Sequence, residues 1–140
     1  MIYQETVRTT ASQQMLNVTD LVQKAVADSG IRDGFVILSA PHTTAGLTVN
    51  ENTDPNVGRD ILRRLEKVFP VNDPQDGHAE GNSAAHCKSS FMGTSLTLMV
   101  EDSRLVLGTW QGVFFCEFDG PRIRKLIIGV YEDNWLGGKW

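Results

Sequence analysis

The chain has few cysteines, few histidines and no long apolar run. Its 140 residues include two cysteines and three histidines. Cys87 and Cys116 are too few and too far apart to predict a disulfide framework or a thiolate metal site, and their apolar or small neighbours favour buried, reduced thiols. No run approaches the ~18–20 apolar residues of a membrane helix, and the first residues lack the features of a secretory signal. We therefore expect no membrane partner and a cytoplasmic location.

A concentrated basic surface is also missing. The formal net charge is −4, whereas nucleic-acid-binding proteins need a basic face. Acidic residues lie among the basic residues that do cluster, and Asp60 is expected to pair with Arg64 one helical turn away. The cluster falls on the polar side of one predicted helix and is typical of a solvated face: Arg59, Arg63, Arg64 and Lys67. We expect no nucleic-acid partner.

Hydrophobic periodicity predicts one α+β domain, a largely antiparallel sheet with two or three helices packed on it. The predicted helices are one near 21–26, with Asn17 or Thr19 as N-cap and Gly30 as its stop, one from Asp54-Pro55 to Pro70, and one over 80–92. The predicted strands are 2–10, 35–38, 47–49, 96–100, 105–107, 113–118 and 122–131. The continuous apolar strand Phe35–Leu38 is expected to be covered on both faces.

The second predicted helix has the clearest apolar stripe. Its buried side is expected to consist of Val57, Ile61, Leu62, Leu65, Val68 and Phe69. Trp110 lies on a bend between two predicted strands, where a large aromatic side chain belongs either to the core or to a ring-stacking site. The sequence favours the core.

The three histidines are the candidate metal ligands. His42 follows a predicted strand, His78 lies in a loop or helix start, and His86 lies eight residues later, so all three could face one point. Imidazole suits zinc and similar ions, and three protein ligands leave a coordination position open, as in catalytic zinc sites. The spacings match no strict motif, so isolated histidines satisfied by hydrogen bonds are the alternative.

Carboxylates and arginines near these histidines are candidate catalytic groups. Glu51 and Glu80 could act as a general base or orient an imidazole, whereas Asp54 is expected to cap a helix. Arg122 and Arg124 share one face of the last strand and need anionic partners. Those partners are either a substrate phosphate or, in a structural ion-pair network, Glu117 and Asp119.

Five sequence blocks in order resemble the signature of the YjbQ-like family. They cover nearly the whole chain: His42–Leu47 with Glu51, Asp54-Pro55 with Asp60, His78–Asn82 with His86, Leu107–Gln111, and Glu117–Arg122. The resemblance defines one domain over 1–133 and a short C-terminal tail over 134–140.

The YjbQ-like family is described as similar to secondary thiamine-phosphate synthases. The resemblance implies a compact α+β fold, a homotrimer, and a divalent ion, expected to be zinc, held by His42, His78 and His86. Within the matching blocks, the residues expected to contact a small phosphorylated substrate are Thr43, Thr44, Asn82, Gln111 and Arg122. The implied reaction joins hydroxymethylpyrimidine pyrophosphate to thiazole phosphate and releases pyrophosphate.

Three functions remain open. The first is this transferase, with Glu51, Glu80, Arg122 and Arg124 as its catalytic groups. The second is a metal-dependent hydrolase of a small phosphorylated compound. The third is a trimeric metal- or ligand-binding module that is not an enzyme.

Overall fold

The computed structural model describes residues 1–134, and the expected tail lies outside the described residues except for Asn134. Eight strands and three helices form in this part of the chain. The strands are β1 Ile2–Arg8, β2 Gln14–Asn17, β3 Gly34–Ser39, β4 Ala45–Glu51, β5 Ser95–Glu101, β6 Arg104–Leu105, β7 Gln111–Glu117 and β8 Ile123–Glu132. The helices are α1 Thr19–Ser29, α2 Pro55–Val68 and α3 Ser83–Met92.

The strands form two antiparallel sheets, which confirms the α+β class. The large sheet has the order β1-β8-β3-β5-β6, and the small sheet has the order β2-β7-β4. One core lies between the sheets and α1, with Val22, Val36, Leu47, Phe115 and Ile128 among its buried residues. A second core lies where α2 and α3 cover the other face of the small sheet.

The ends of two helices follow from local sequence. Asp54 caps α2, since its side chain accepts a hydrogen bond from the Asn56 N–H, and Pro55 occupies the first helical position. Gly30 ends α1 in the left-handed conformation, with φ 72°. The predicted N-cap of α1 is wrong: Val18 holds that position, while the Asn17 side chain accepts from the Thr19 N–H.

Three expectations about packing are wrong. The strand Phe35–Leu38 is buried on one face only, because the outer face of the large sheet carries no helix among residues 1–134 and leaves Ile37 exposed. In the stripe of α2 only Leu65 is fully buried, and Val68 is exposed. Trp110 is exposed rather than part of the core.

Some elements differ from the sequence prediction in extent. The strand β2 was not predicted, because four residues with polar ends give no clear alternation. Helix α3 begins at Ser83 rather than at Glu80. Of the two cysteines, Cys116 is buried as expected and Cys87 is exposed. None of the helices formed within residues 1–134 has the length and apolar character needed to cross a bilayer.

Candidate functional site

The three histidines line one open cavity of about 450 Å³. The segment after β3 supplies His42, the loop before α3 supplies His78, and α3 itself supplies His86. The turn between β7 and β8 and the start of β8 close the other side. The remaining lining residues are Pro41, Thr43, Thr44, Glu80, Asn82, Asp119, Arg122 and Arg124. We call this cavity the histidine pocket.

Two of the histidine rings are in direct contact. The ring centroids of His78 and His86 are 5.2 Å apart, and the rings meet edge to face. The Nε2 atom of His42 accepts a hydrogen bond from the Lys125 N–H at 2.9 Å. This bond leaves Nδ1 of His42 as the ring atom available to a ligand.

The electrostatic environment of His42 favours its neutral form. Burial lowers the pKa of His42, and the nearby Arg124 guanidinium lowers it further. A neutral imidazole is the form that binds a metal ion. The environment of His42 therefore favours the protonation state that a metal ligand requires.

The donor chemistry of the histidine pocket fits a divalent ion such as zinc. Within residues 1–134, however, no three His, Cys, Asp or Glu side chains surround a single point as a bound ion requires. Asn82 also lines the histidine pocket, and its Oδ1 atom is buried and has no hydrogen-bond partner in the described part of the chain. An ion held by these histidines would require their side chains to rotate toward a common centre.

A buried ion pair forms the floor of the histidine pocket. The Arg124 guanidinium donates to both carboxylate oxygens of Glu117, and Thr9 Oγ1 donates to the same carboxylate at 2.7 Å. Arg124 also donates to Thr44 Oγ1 at 2.8 Å, which fixes the segment that follows His42. Burial opposes ionisation of Glu117, but the bonds from Arg124 and Thr9 outweigh it and lower the pKa of Glu117.

A second, more exposed ion pair lies at the rim of the histidine pocket. Arg122 Nη2 donates to Asp119 Oδ2 at 3.0 Å, and Asn82 Nδ2 donates to the same oxygen at 2.9 Å. The sequence left open whether the partners of Arg122 and Arg124 are protein carboxylates, and the structure shows that Asp119 and Glu117 fill that role. Arg122 is half exposed and retains donors for a ligand.

Two of the predicted site residues do not reach the histidine pocket. Glu51 and Gln111 are paired at the far ends of β4 and β7, whereas Ala45 and Glu117 are paired at the near ends. Glu51 lines another cavity of about 370 Å³, and the Gln111 side chain accepts from the Gly108 N–H at 2.7 Å. Glu80, by contrast, lies at the histidine pocket as expected.

The sequence patterns indicate Glu117 and Asp119 as partners of the arginines and give them no site role of their own, and no pattern indicates Lys88. Glu117 ends a strand of apolar residues, and a charge in such a strand signals a buried partner. The Lys88 side chain is 1% exposed and donates to Glu66 and Gln13, thereby joining α3 to α2. The pair predicted between Asp60 and Arg64 is replaced by a contact between Asp60 and Arg63 at 3.6 Å.

The chain is similar to proteins of one family along nearly its whole length. A family model described as UPF0047 protein YjbQ-like matches residues 3–133. The UPF0047 protein YugU of Bacillus subtilis is 49% identical over 122 residues, which are 87% of this chain and 92% of that protein. A UPF0047 protein of Methanocaldococcus jannaschii is 41% identical over 134 residues, 96% of each chain.

Solved crystal structures of other proteins also resemble this chain. The crystal structure of an uncharacterized YjbQ/UPF0047 family protein from Clostridium acetobutylicum superposes with a TM-score of 0.90 at 49% identity, covering 92% of this chain and 99% of that one. The crystal structure of a hypothetical protein from Aeropyrum pernix superposes with a TM-score of 0.89 at 31% identity. The match covers 95% of this chain and 99% of that one. These matches and the shared fold show that the chain belongs to the YjbQ-like UPF0047 family.

Proposed function

We propose that this protein is a metal-dependent enzyme acting on a small phosphorylated metabolite, with thiamine-phosphate synthesis as the reaction to assay first. The observation that carries the proposal is that all three histidines line one open pocket together with the half-exposed Arg122. Such a pocket is large enough for a small ligand.

The charges of the histidine pocket explain why an anionic substrate needs a cation there. Among residues 1–134, Glu80, Asp119 and the buried Glu117 oppose Arg122 and Arg124 at the histidine pocket, so one negative charge remains when the histidines are left aside. A bound divalent ion supplies positive charge and Lewis acidity toward phosphoryl oxygens. With the divalent ion bound, the net charge of the site becomes positive, and the site attracts a phosphate instead of repelling it.

The protein groups have separable roles in this proposal. The ion is held by His42, His78 and His86. Arg122 binds a phosphoryl group through its outer donors. Glu80 moves a proton, while Arg124 holds the segment that carries His42 and Thr44.

Metal analysis of protein purified without added metal tests the ligand set. We expect wild type to retain close to stoichiometric divalent ion, and His42→Ala, His78→Ala and His86→Ala each to lose most of it. Lys24→Ala, which removes an exposed charge on α1, is the control and should keep its metal. A metal-free wild type, or histidine variants that bind like wild type, would contradict the ligand set.

The reaction class is tested with the same proteins. Thiamine phosphate formed from hydroxymethylpyrimidine pyrophosphate and thiazole phosphate, at a rate that collapses in His42→Ala, supports the transferase. Phosphate release from small phosphate esters with the same dependence supports the hydrolase instead. If neither reaction occurs with metal bound, the protein is a binding module.

The proposal includes a reducing, cytoplasmic location. Cys87 and Cys116 are both free thiols, and the exposed Cys87 would be open to oxidation elsewhere. An oxidised Cys87 in protein isolated from its native cell would contradict this location.

A further inference from the structure

A second cavity adjoins the histidine pocket and shares one wall with it. It has a volume of about 240 Å³ and lies between α3, the loop that joins β1 to β2, and the turn that follows β7. Asn82 and Asp119 line both cavities and form the shared wall. We call the second cavity the lysine cavity, and its other lining residues include Gln13, Val71, Ala84, Ala85, Lys88 and Phe118.

A buried cation lines the lysine cavity. The Lys88 side chain is 1% exposed, and its Nζ donates to Gln13 Oε1 at 3.0 Å and to a carboxylate oxygen of Glu66. An ammonium group has three donors, so these two bonds, the ones that Lys88 makes within residues 1–134, leave one donor. A buried donor without an acceptor is unfavourable. A ligand that places an acceptor beside Lys88 therefore gains a hydrogen bond from a charged group.

The wall shared by the two cavities offers acceptors instead of donors. Asp119 Oδ2 accepts from Arg122 and from Asn82, and the Asp119 side chain is 26% exposed. An ionised carboxylate has about four acceptor sites on its two oxygens, so these bonds do not exhaust it. The Asn82 Oδ1 atom is a further acceptor, and it has no partner in the described part of the chain. A ligand N–H group at this wall therefore meets acceptors.

The rest of the lysine cavity suits one small ring. Its apolar lining includes Phe118, Ala84 and Ala85, and side chains of this kind hold the carbon skeleton of an organic ligand. Its volume is below the ~300–1,000 Å³ of pockets that bind whole drug-sized molecules. A heterocycle with an amino group next to a ring nitrogen presents the donor and the acceptor that the cavity requires. Aminopyrimidines have this pattern, whereas the thiazole nitrogen accepts but carries no N–H.

The charges assign the two halves of a phosphorylated heterocycle to the two cavities. Arg122 lines the histidine pocket and lies against Asp119 in the shared wall, so a phosphoryl group bound by Arg122 is one side chain away from the lysine cavity. Lys88 is already paired with Glu66, so the lysine cavity favours a neutral acceptor over a second phosphoryl group. The ring and the phosphoryl group of one molecule can therefore occupy adjoining spaces.

We propose that the lysine cavity binds the ring of the substrate, an amino-substituted nitrogen heterocycle, while the phosphoryl groups of the same molecule lie in the histidine pocket. Lys88 donates to a ring nitrogen, and the amino group donates to the wall formed by Asn82 and Asp119. The inference rests on the proposed function for the phosphoryl half. Of the two substrates of thiamine-phosphate synthesis, it assigns the pyrimidine to this cavity, with Lys88 as a residue that determines specificity.

Calorimetric titration of the metal-loaded protein tests the assignment through three ligands: hydroxymethylpyrimidine pyrophosphate, inorganic pyrophosphate and thiazole phosphate. Wild type should bind the first at least ~10-fold more tightly than the second, because the ring adds a hydrogen bond from a charged donor. Lys88→Met removes that donor and should cancel most of this difference, with the Kd values of pyrophosphate and thiazole phosphate unchanged. Lys67→Met, at an exposed lysine of α2, is the control. A purely structural Lys88 would weaken all three ligands alike, and that result would overturn the proposal.

A second variant leaves the buried lysine untouched. Val71 lines the lysine cavity but is 50% exposed, so Val71→Trp should be tolerated and should obstruct the cavity. It should weaken binding of hydroxymethylpyrimidine pyrophosphate selectively, as Lys88→Met does. Val68→Trp, at an exposed valine of α2 outside the lining of both cavities, is the matched control. If Val71→Trp and Lys88→Met both bind the pyrimidine ligand like wild type, the ring lies elsewhere.

Hydroxymethylpyrimidine without phosphate separates this inference from the proposed function. This compound has no phosphoryl group for a metal ion or Arg122, so saturation-transfer NMR should detect its binding to wild type with or without metal, and not to Lys88→Met. If wild type does not bind pyrophosphate, the proposed function is contradicted, and the NMR result decides the lysine cavity by itself. If the NMR signal is absent or equal in the two proteins, the lysine cavity is not the ring site.

Discussion

The buried pair between Glu117 and Arg124 allows a sharp prediction about stability. Both side chains are buried, and the Glu117 carboxylate accepts from Arg124, Thr9 and the backbone N–H groups of Phe118 and Asp119. Glu117→Gln keeps the shape but leaves the Arg124 charge without a counter-ion. Breaking a buried pair in this way costs about 3–5 kcal/mol, a large part of the ~5–15 kcal/mol that stabilises a typical domain.

Urea unfolding followed by circular dichroism measures this loss. We expect the midpoint to fall with an unchanged slope, and the melting temperature to fall by about 10–17 °C. The control is Asp102→Asn in the exposed pair with Arg32, which should cost about 0–1 kcal/mol. Asn tolerates the positive φ of 49° at that position, so backbone strain does not confuse the comparison.

The pH dependence checks the same reasoning. Because the folded pKa of Glu117 is lowered, its charge contributes stability that is fully present above the ordinary value of 4.5 and is lost as pH falls through the folded value. The difference in unfolding free energy between wild type and Glu117→Gln should therefore be constant near pH 7 and shrink below pH 4.5. A difference under 1 kcal/mol at pH 7, or one that grows in acid, would refute the argument.

Three further predictions concern stability and use the same urea assay. Glu66→Gln should cost about 3 kcal/mol because it leaves the buried Lys88 ammonium without its counter-ion. Lys88→Met should cost only ~1–2 kcal/mol because Glu66 stays partly solvated. Equal costs for the two variants would contradict this asymmetry. Gly46→Ala should cost ~1–3 kcal/mol, since its Cβ would lie 2.8 Å from the Gly93 carbonyl oxygen at the end of α3. Gly77→Ala should be near neutral, since no atom of residues 1–134 lies within 4 Å of the new Cβ. Asp54→Ala should cost about 1 kcal/mol through loss of the α2 cap, and an unchanged midpoint would show that the cap is unimportant.

Local sequence patterns predict the helix ends of this fold but not the exposure of its apolar side chains. The Asp54-Pro55 start of α2 and the Gly30 end of α1 were predictable, because a cap depends on residues within one turn of it. The exposure of Val68 was not, because helical periodicity identifies an apolar side but not whether a partner covers all of it. The same holds for Ile37, whose apolar neighbours indicated burial on both faces.

The sequence by itself determined the α+β class, the three helices and a short set of candidate ligands. Each depends on periodicity, caps or residue chemistry, all of which are local. Only the tertiary structure decided which candidates meet. The pairing of β4 with β7 places Ala45 beside Glu117 and Glu51 beside Gln111, so the histidines and Glu51 lie at opposite ends of one sheet. Strand register is set by contacts between segments that are distant in sequence, and no local pattern contains that information.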